Sequence, residues 1–255
     1  MSTSAVIDIQ HVNKQFKVKN EVLPVLEDLT LTIQPGEFLA IVGASGCGKS
    51  TLLRLLVGLD REYQGEIKVG GSVVTGTSLD RGIVFQEHRL FPWLTLEQNV
   101  GLGLQNSTWS GDKKKKAIKD HIELVGLTGF ETAYPHQLSG GMAQRAAIAR
   151  GLVNQPSILL LDEPFGALDA LTRTRLQQEL QNIWQREKIT MVLVTHDVDE
   201  AVFLGDRVIV MQPRPGRIKK TFNIDVAHPR DRRDPALKAL TEEVRAQILE
   251  GSGKN

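Results

Sequence analysis

The amino-acid sequence predicts an α/β fold: a core with a mixed parallel sheet, an antiparallel β-subdomain at the N-terminus and a helical subdomain. Two observations predict it. Short apolar runs rich in Val, Ile and Leu recur between longer amphipathic stretches, which is how strands and helices alternate in such folds. In addition, strands of antiparallel type come first, strand–helix alternation follows, and a mainly helical insert covers residues from about 90 to 153.

The predicted strands differ in how their apolar residues are arranged. Residues 5–10 and 29–33 alternate apolar and polar side chains, as half-buried strands do, whereas 38–42 (FLAIV) is a continuous apolar run. Three strands in the second half of the chain are apolar on both faces, which is typical of central strands in a parallel sheet. The predicted strands cover residues 5–10, 29–33, 38–42, 65–70, 82–86, 157–162, 190–195, 207–212 and 216–225, the last as an edge strand.

Helices are predicted where apolar residues recur at helical spacing. The Lys run at 113–116 is interpreted as a solvated helix face, and the polar segment 227–235, with its two prolines, as a linker to a last helix. The predicted domains are therefore residues 1–226 and a linker with a C-terminal helix at 227–255. The predicted helices cover residues 49–58, 95–105, 113–125, 140–153, 172–187, 198–204 and 235–249.

Composition excludes several classes of protein. Lys plus Arg (31) nearly balances Asp plus Glu (30), so there is no basic footprint and we expect no nucleic-acid partner. The single cysteine, Cys47, excludes a disulfide within the chain. The longest apolar runs, 158–162 and 191–195, are strand-length, and the N-terminus lacks the pattern of a secretory signal. We therefore expect any membrane role to come through a partner.

The segment GASGCGKST, Gly43 to Thr51, matches the phosphate-loop pattern G-x-x-x-x-G-K-[ST]. Glycines let the backbone turn tightly, so that successive N–H groups point at phosphate oxygens. Lys49 can reach the outer phosphates and the Ser50 hydroxyl can ligate Mg²⁺. The motif follows a predicted strand and opens a predicted helix, as this mechanism requires. Cys47, inside the loop, is interpreted as a spacer and not as a catalytic thiol.

A second acidic motif follows the apolar run at 158–162. Asp162 ends this predicted strand, where it is expected to lie beside the phosphate loop and hold Mg²⁺ directly or through water. Glu163 comes next and is suited to orient or deprotonate the attacking water. Together with the phosphate loop, these carboxylates predict hydrolysis of a phosphate-containing nucleotide.

With these motifs the sequence resembles the ABC transporter ATPase family over nearly its whole length. Between the two nucleotide motifs lies LSGGMAQR, Leu138 to Arg145, which resembles the signature motif of that family. The signature usually ends in Gln, where this chain has Met142, so no role is carried over to that position. The other matching residues are Gln86 (Q-loop), Asp169 (D-loop), His196 (switch histidine) and Phe16 (the aromatic that stacks on adenine).

The resemblance implies ATP and Mg²⁺ as cofactors and a head-to-tail dimer in which each phosphate loop faces the partner's signature motif. Ser139 begins a predicted helix, so it lies at a second N–H-rich anion site. The catalytic residues implied are Glu163, His196 and Gln86, and the metal ligands implied are Ser50, Gln86 and Asp162. The residues implied to contact ATP are Phe16, Gly43, Ala44, Ser45, Gly46, Cys47, Gly48, Lys49, Ser50, Thr51, Ser139, Gly140, Gly141 and Asp169.

Three segments, 87–104, 162–173 and 195–208, resemble the nitrate/sulfonate/taurine group of ABC importers. That likeness implies uptake of a small anion such as a sulfonate, taurine, nitrate or bicarbonate. The partners implied are a second ATPase subunit, identical or related, separate membrane permease subunits and, indirectly, a periplasmic or lipid-anchored substrate-binding protein. The implied location is peripheral, at the cytoplasmic face of the inner (plasma) membrane.

Two alternatives remain at this stage. An ABC ATPase outside transport would act in DNA repair, translation or iron–sulfur assembly, but this chain lacks the long coiled-coil insertion or paired ATPase units of the first two. A non-catalytic regulatory module would lack Lys49, Asp162, Glu163 or His196, and all four are present.

Phe91 and Trp93 are predicted to form a docking surface for the permease, with internal packing as the alternative.

Overall fold

The computed structural model describes residues 4–19 and 21–252, and these divide into two compact units. One unit holds residues 4–78 and 190–252, and the other holds residues 79–189. Residues 1–3 and 253–255, at the outer ends of the two predicted domains, lie outside the described residues. Among the helices of the described residues, none combines the length and the apolar character needed to cross a bilayer.

The first unit contains an antiparallel sheet built from the N-terminal segment. Strand β1 (Ile7–Val18) pairs on one side with β2 (Glu21–Ile33) and on the other with β4 (Gln64–Val69), and β4 pairs with the short β5 (Ser72–Val73). Alternation explains the inner half of β1, because Ile7 and Ile9 are buried opposite Ile33 and Leu31. The antiparallel β-subdomain predicted from the sequence is confirmed.

The same unit contains a second, mixed set of strands in the order β10-β9-β3-β8. The central strand β3 (Phe38–Gly43) is wholly buried and runs parallel to both β8 (Thr190–Thr195) and β9 (Arg207–Gln212). The edge strand β10 (Arg217–Asn223) is antiparallel to β9. Helices α1 (Lys49–Val57), α6 (Val198–Leu204) and α7 (Pro235–Ser252) complete the unit. This is the mixed, mainly parallel arrangement predicted from the apolar runs.

The second unit is mainly helical. Two parallel strands, β6 (Arg81–Val84) and β7 (Ile158–Asp162), are combined with α2 (Leu96–Gly101), α3 (Gly111–Leu124), α4 (Gly140–Leu152) and α5 (Ala170–Glu187). Short 3-10 helices occupy Leu102–Leu104 and Pro135–Gln137. Helix α4 packs on α2, α3, α5 and β6, and its small side chains permit this close packing. The buried alanines of α4 are Ala143, Ala146, Ala147 and Ala149.

Helix boundaries follow the capping residues in the sequence. Helix α1 ends where Gly58 adopts a left-handed conformation (φ 80°), which glycine reaches without steric cost. Helix α2 begins at a capping box formed by Thr95 and Gln98, and α3 begins at Ser110, whose hydroxyl accepts a hydrogen bond from the Lys113 N–H. These local signals explain why the predicted helix limits lie close to the observed ones.

Candidate functional site

The phosphate loop joins β3 to α1, as predicted. Gly46 and Gly48 have φ angles of 77° and 91°, in the left-handed region that favours glycine. A Cβ atom on Gly43 would lie 2.5 Å from the Met211 carbonyl oxygen, and one on Gly48 would lie 2.4 Å from Leu26 Cδ2. These positions therefore require glycine for the conformation and packing of the loop.

Lys49 lies within this loop. Its side chain is buried, and its ammonium group donates hydrogen bonds to the carbonyl oxygens of Gly43 (2.8 Å) and Ala44 (3.2 Å). Ser50 follows on the first turn of α1 and is exposed. Burial raises the pKa of the Cys47 thiol, so the thiol stays protonated near neutral pH. The sulfur therefore packs as a small apolar group, in line with the spacer interpretation.

Phe16 lies on β1 beside a cavity of about 820 Å³. Its side chain is 38% exposed, so it is not part of the core. Leu26, which also lines the cavity, is the residue that packs against Gly48 of the phosphate loop. The cavity thus adjoins the loop through Leu26 and offers an aromatic ring at its wall. The other described residues that line it are Asn13, Lys14, Gln15, Lys17, Pro24, Glu27, Glu62, Tyr63 and Gln64.

His196 comes directly after the buried strand β8 and is exposed. The next residue, Asp197, caps α6 by accepting a hydrogen bond from the Glu200 N–H at 3.2 Å. His196 therefore lies in a turn fixed on both sides, between a buried strand and a capped helix. A cavity of about 360 Å³ beside it is also lined by Arg245 of α7.

In the other unit, Gln86 and the acidic pair lie at the ends of neighbouring strands. Val84 of β6 is paired with Leu161 of β7, so Asp162, the last residue of β7, lies with Gln86 and Glu163 at the carboxyl ends of two parallel strands. A Cβ atom on Gly166 would lie 3.2 Å from Gln86 Nε2 and 3.5 Å from the Glu163 carbonyl oxygen. The structure therefore places the side chain of Gln86 against the turn that contains Glu163.

The signature motif caps α4. Ser139 is the N-cap residue, and its hydroxyl accepts a hydrogen bond from the Met142 N–H at 3.3 Å. Ser139 and Gly140 are exposed, whereas Gly141 is buried and a Cβ atom there would lie 2.4 Å from Thr172 Cγ2. The predicted helix start at this motif is confirmed. The structure also gives Gly141 a packing role that the sequence does not reveal.

Asp169 caps α5, immediately beside the signature helix. Its carboxylate accepts hydrogen bonds from the N–H groups of Leu171 (3.1 Å) and Thr172 (3.0 Å). The hydrogen bond from the Thr172 N–H is the main cause that lowers the pKa of Asp169. Because Thr172 also contacts the Gly141 position, the D-loop and the signature helix share a packing contact.

Most of these motifs lie in a part of the chain that matches a known protein family. The family model described as "ABC transporter" matches residues 26–166, which is more than half of the chain. This chain belongs to the ABC transporter family. It is accordingly an ABC ATPase, and the resemblance drawn from the phosphate loop, the signature motif and the acidic pair is confirmed.

Relatives of this ABC ATPase align over almost its whole length. It is 47% identical to the aliphatic sulfonates import ATP-binding protein SsuB of Bacillus subtilis (strain 168), over 97% of this chain and 99% of the relative. Among solved structures, a dimeric post-hydrolysis state of the ATP-binding cassette MJ0796 bound to ADP and Pi has a TM-score of 0.75 at 33% identity. That comparison covers 87% of this chain and 100% of the neighbour.

A second structural neighbour is cbiO1 from Clostridium perfringens, which is described as part of the ABC transporter complex cbiONQ. It has a TM-score of 0.78 at 25% identity and covers 98% of this chain and 95% of its own. These similarities confirm the predicted fold class, an ABC ATPase core with an antiparallel N-terminal sheet.

Three residues of the ABC ATPase carry oxygen atoms of the kind that bind magnesium. Ser50, Gln86 and Asp162 offer a hydroxyl, an amide and a carboxylate oxygen, which are the hard ligands that Mg²⁺ prefers. Among the described residues, no group of three or more His, Cys, Asp or Glu side chains could hold a metal ion.

The loop after the Q-loop exposes the two aromatic residues singled out in the sequence. Phe91 is 43% exposed and Trp93 is 69% exposed, with ring centroids 5.3 Å apart. The buried Asn99 holds this loop, because its amide accepts a hydrogen bond from the Phe91 N–H and donates to the carbonyl oxygens of Phe91, Leu94 and Thr95. Internal packing therefore does not account for the Trp93 side chain.

Three further hydrogen bonds at the Q-loop were not predicted from the sequence. Arg150 of α4 donates hydrogen bonds to the carbonyl oxygens of His88 and Arg89, both at 2.8 Å, and Gln144 donates to that of Phe85 at 3.3 Å. Both donors lie on the helix that the signature motif begins. The signature helix therefore holds the backbone on either side of Gln86.

Proposed function

We propose that this ABC ATPase energises the uptake of an aliphatic sulfonate through a separate membrane permease. The observation that carries the proposal is its 47% identity, over 97% of the chain, to an aliphatic sulfonates import ATP-binding protein. The retained Lys49, Asp162, Glu163 and His196 support catalysis by this chain rather than a regulatory role. The site of action would be the cytoplasmic face of the inner membrane, where the subunit binds peripherally to its permease.

ATP would be bound at the phosphate loop, where Lys49 opposes the phosphate charge and the loop N–H groups point at the phosphate oxygens. Phe16 would stack on the adenine from the wall of its cavity. Ser50, Gln86 and Asp162 would hold Mg²⁺, which supplies charge neutralisation when bound. We assign the whole phosphate loop to ATP contact: Gly43, Ala44, Ser45, Gly46, Cys47, Gly48, Lys49, Ser50 and Thr51.

Hydrolysis would use the side chains beyond the strand ends. Glu163 would accept a proton from the attacking water or orient it, while His196 would contact the terminal phosphate. Ser139, Gly140, Gly141 and Asp169 would act on the nucleotide held by a second subunit. Support comes from the N-cap geometry of Ser139, which leaves an exposed helix start suited to an anion. The dimeric state of an ABC cassette similar to this chain also supports it.

An uptake experiment tests the substrate. A strain lacking the gene is supplied with the wild-type protein or with Glu163→Gln, and uptake of labelled alkanesulfonate, taurine, nitrate and bicarbonate is compared. We expect wild-type protein alone to restore alkanesulfonate uptake. Restoration of nitrate or bicarbonate uptake instead would contradict the sulfonate assignment, and uptake supported equally by Glu163→Gln would contradict a role in ATP hydrolysis.

Permease docking is tested with the exposed aromatic loop. Trp93→Ala should reduce co-purification with the permease and leave the melting temperature nearly unchanged, because the side chain is 69% exposed. Leu79→Ala, an exposed apolar residue in the same unit, is the matched control and should not affect co-purification. Undiminished permease recovery with Trp93→Ala would remove this loop from the interface.

A further inference from the structure

A buried lysine lies at the wall of the Phe16 cavity. Lys14 is only 3% exposed, although lysine side chains almost always reach water. Its ammonium group donates hydrogen bonds to Asp60 Oδ1 at 2.8 Å and to the Glu62 carbonyl oxygen at 2.6 Å. Burial of a charged group is costly unless it is paired in this way, and removal of one partner leaves the other uncompensated. The arrangement therefore fixes the ammonium group at one point.

That point faces the ring of Phe16. Lys14 Nζ lies 4.7 Å from the centroid of the Phe16 ring, within the range of a cation–π interaction. The two residues are two positions apart on β1, next to a register shift between Lys14 and Gln15, so the contact between them rests on the measured distance. A cation held at the ring restricts its rotation and draws on its π-electron density. Phe16 would then present a fixed ring to the cavity.

The same lysine connects the ring to the helix of the phosphate loop. Asp60 and Glu62 follow the end of α1, whose first residue is Lys49. The Asp60 N–H donates a hydrogen bond to the Arg54 carbonyl oxygen of α1 at 3.2 Å. Burial acts to raise the pKa of Asp60, but hydrogen bonds from Lys14 and from neighbouring N–H groups outweigh it and lower this pKa. The Asp60 carboxylate therefore stays ionised at neutral pH and remains paired with Lys14.

We propose that Lys14 is a positioning residue for the nucleobase, which holds the Phe16 ring at a fixed place relative to the phosphate-loop helix through Asp60 and Glu62. The proposal rests on the assignment of Phe16 as the ring that stacks on adenine. Lys14 itself does not touch the phosphates, because its donors are directed to Asp60 and Glu62. Its effect should therefore fall on the base-dependent part of nucleotide affinity.

The test compares two ligands of the full chain: ATP and inorganic tripolyphosphate, both with Mg²⁺, the second having no base. Lys14→Met should weaken ATP binding by about fivefold, because the cation–π contact is lost and the Phe16 ring is no longer held in place. Binding of tripolyphosphate should not change. Lys14→Arg keeps a cation near the ring and should retain most of the ATP affinity. Equal losses for both ligands, or no loss for ATP, would overturn the proposal.

Two further variants make the result interpretable. Phe16→Ala should itself weaken the binding of ATP but not of tripolyphosphate. In the Phe16→Ala background, Lys14→Met should have no further effect on ATP binding. If Phe16→Ala leaves ATP affinity intact, the adenine assignment fails, whereas an additive Lys14→Met effect would overturn the positioning role alone.

If Lys14→Met proves unfolded in a thermal melt, Asp60→Asn replaces it, because Asp60 is more exposed and the lysine is kept. Asp60→Asn should weaken ATP binding by a smaller factor than Lys14→Met and leave tripolyphosphate binding unchanged. Asp60→Asn with unaltered ATP affinity would contradict the proposal.

Discussion

Glu163 is held in an unusual backbone conformation. Its φ angle is 47°, in the left-handed region that non-glycine residues rarely adopt, and its carbonyl oxygen accepts a hydrogen bond from the Gly166 N–H at 3.1 Å. Strain of this kind persists only where surrounding structure imposes it, and it is concentrated at functional sites. We take this turn between Asp162 and Gly166 as support for the proposed role of Glu163 in hydrolysis.

At the residue scale, Glu163→Gln should retain ATP binding and lower the turnover of the complete transporter by about 10²–10⁴-fold, the usual contribution of a general base. The amide keeps the shape of the side chain but cannot accept the proton. Steady-state ATPase activity and equilibrium ATP binding are the measurements. Glu187→Gln, at the end of α5, is the matched control and should hydrolyse ATP normally. Turnover of Glu163→Gln above a tenth of the wild-type rate would exclude this role.

Gly141 provides a second residue-scale prediction, on stability. A Cβ atom would meet Thr172 Cγ2 at 2.4 Å, so Gly141→Ala should destabilise the fold by about 1–3 kcal/mol through overpacking. Thr172→Ser removes that methyl group but keeps the hydroxyl, and it should restore stability in the double variant. Gly140→Ala is the control, because its nearest contact is 3.6 Å. Denaturant unfolding measures the stability of both variants. Equal losses of stability in Gly141→Ala and Gly140→Ala would show that Gly141 is not constrained by Thr172.

At the scale of elements, the segment after β10 is fixed by one buried arginine. Arg230 is 4% exposed and donates hydrogen bonds to five backbone carbonyl groups. Three of the acceptors, Val202, Phe203 and Gly205, lie at the end of α6, the helix that follows the switch histidine. Burial lowers the pKa of Arg230 to about 10, so the guanidinium group remains charged at neutral pH. Arg230 thus serves as a C-terminal cap for α6.

Replacement of Arg230 by Met should destabilise the protein by about 3 kcal/mol, because several buried carbonyl groups lose a charged donor at once. Arg233→Met, in the same segment and with the same change of charge, is the control. Its side chain is 88% exposed and pairs with the exposed Asp231, so we expect little loss of stability. Urea unfolding compares the two, and similar losses would show that the hydrogen bonds of Arg230 contribute little.

Local signals in the sequence predict the secondary-structure elements better than they predict the tertiary contacts. Helix limits agree to within a few residues because Gly58, Ser110, Ser139 and Asp169 mark them chemically. Strands 5–10 and 29–33 were predicted too short, since β1 runs to Val18 and β2 begins at Glu21. Register shifts between Ile9 and Gln15 break the alternation there, so the outer halves of both strands carry no period-two pattern.

The contacts of Lys14, Arg150 and Asn99 could not be predicted from the sequence, for a different reason. Lys14 pairs with Asp60, 46 positions away, and Arg150 binds backbone 61 and 62 positions away. Asn99 contacts nearby backbone, yet its burial depends on the packing of the helical unit. Such contacts depend on the tertiary fold, and no spacing rule predicts them from the chain. The motif residues could be predicted because phosphate chemistry requires particular residue types at fixed local spacing.

At the scale of the whole molecule, the chain carries two helix starts that we propose to bind phosphate, one at Lys49 and one at Ser139, in different units. A head-to-tail dimer would use both on each nucleotide, and ATP would favour the closed state because it contacts two subunits. We therefore propose that each active site is shared between two chains.

Mixing two inactive variants tests whether each active site is shared between two chains. Ser139→Arg leaves the phosphate loop intact but should block closure on the partner's nucleotide, whereas Lys49→Ala should prevent nucleotide binding. Each mixed dimer would hold one site with both lesions and one with neither. We predict that ATPase activity, absent from either variant alone, reappears on mixing and rises with protein concentration. Mixtures that stay inactive, together with wild-type hydrolysis per subunit that is independent of concentration, would contradict the shared site.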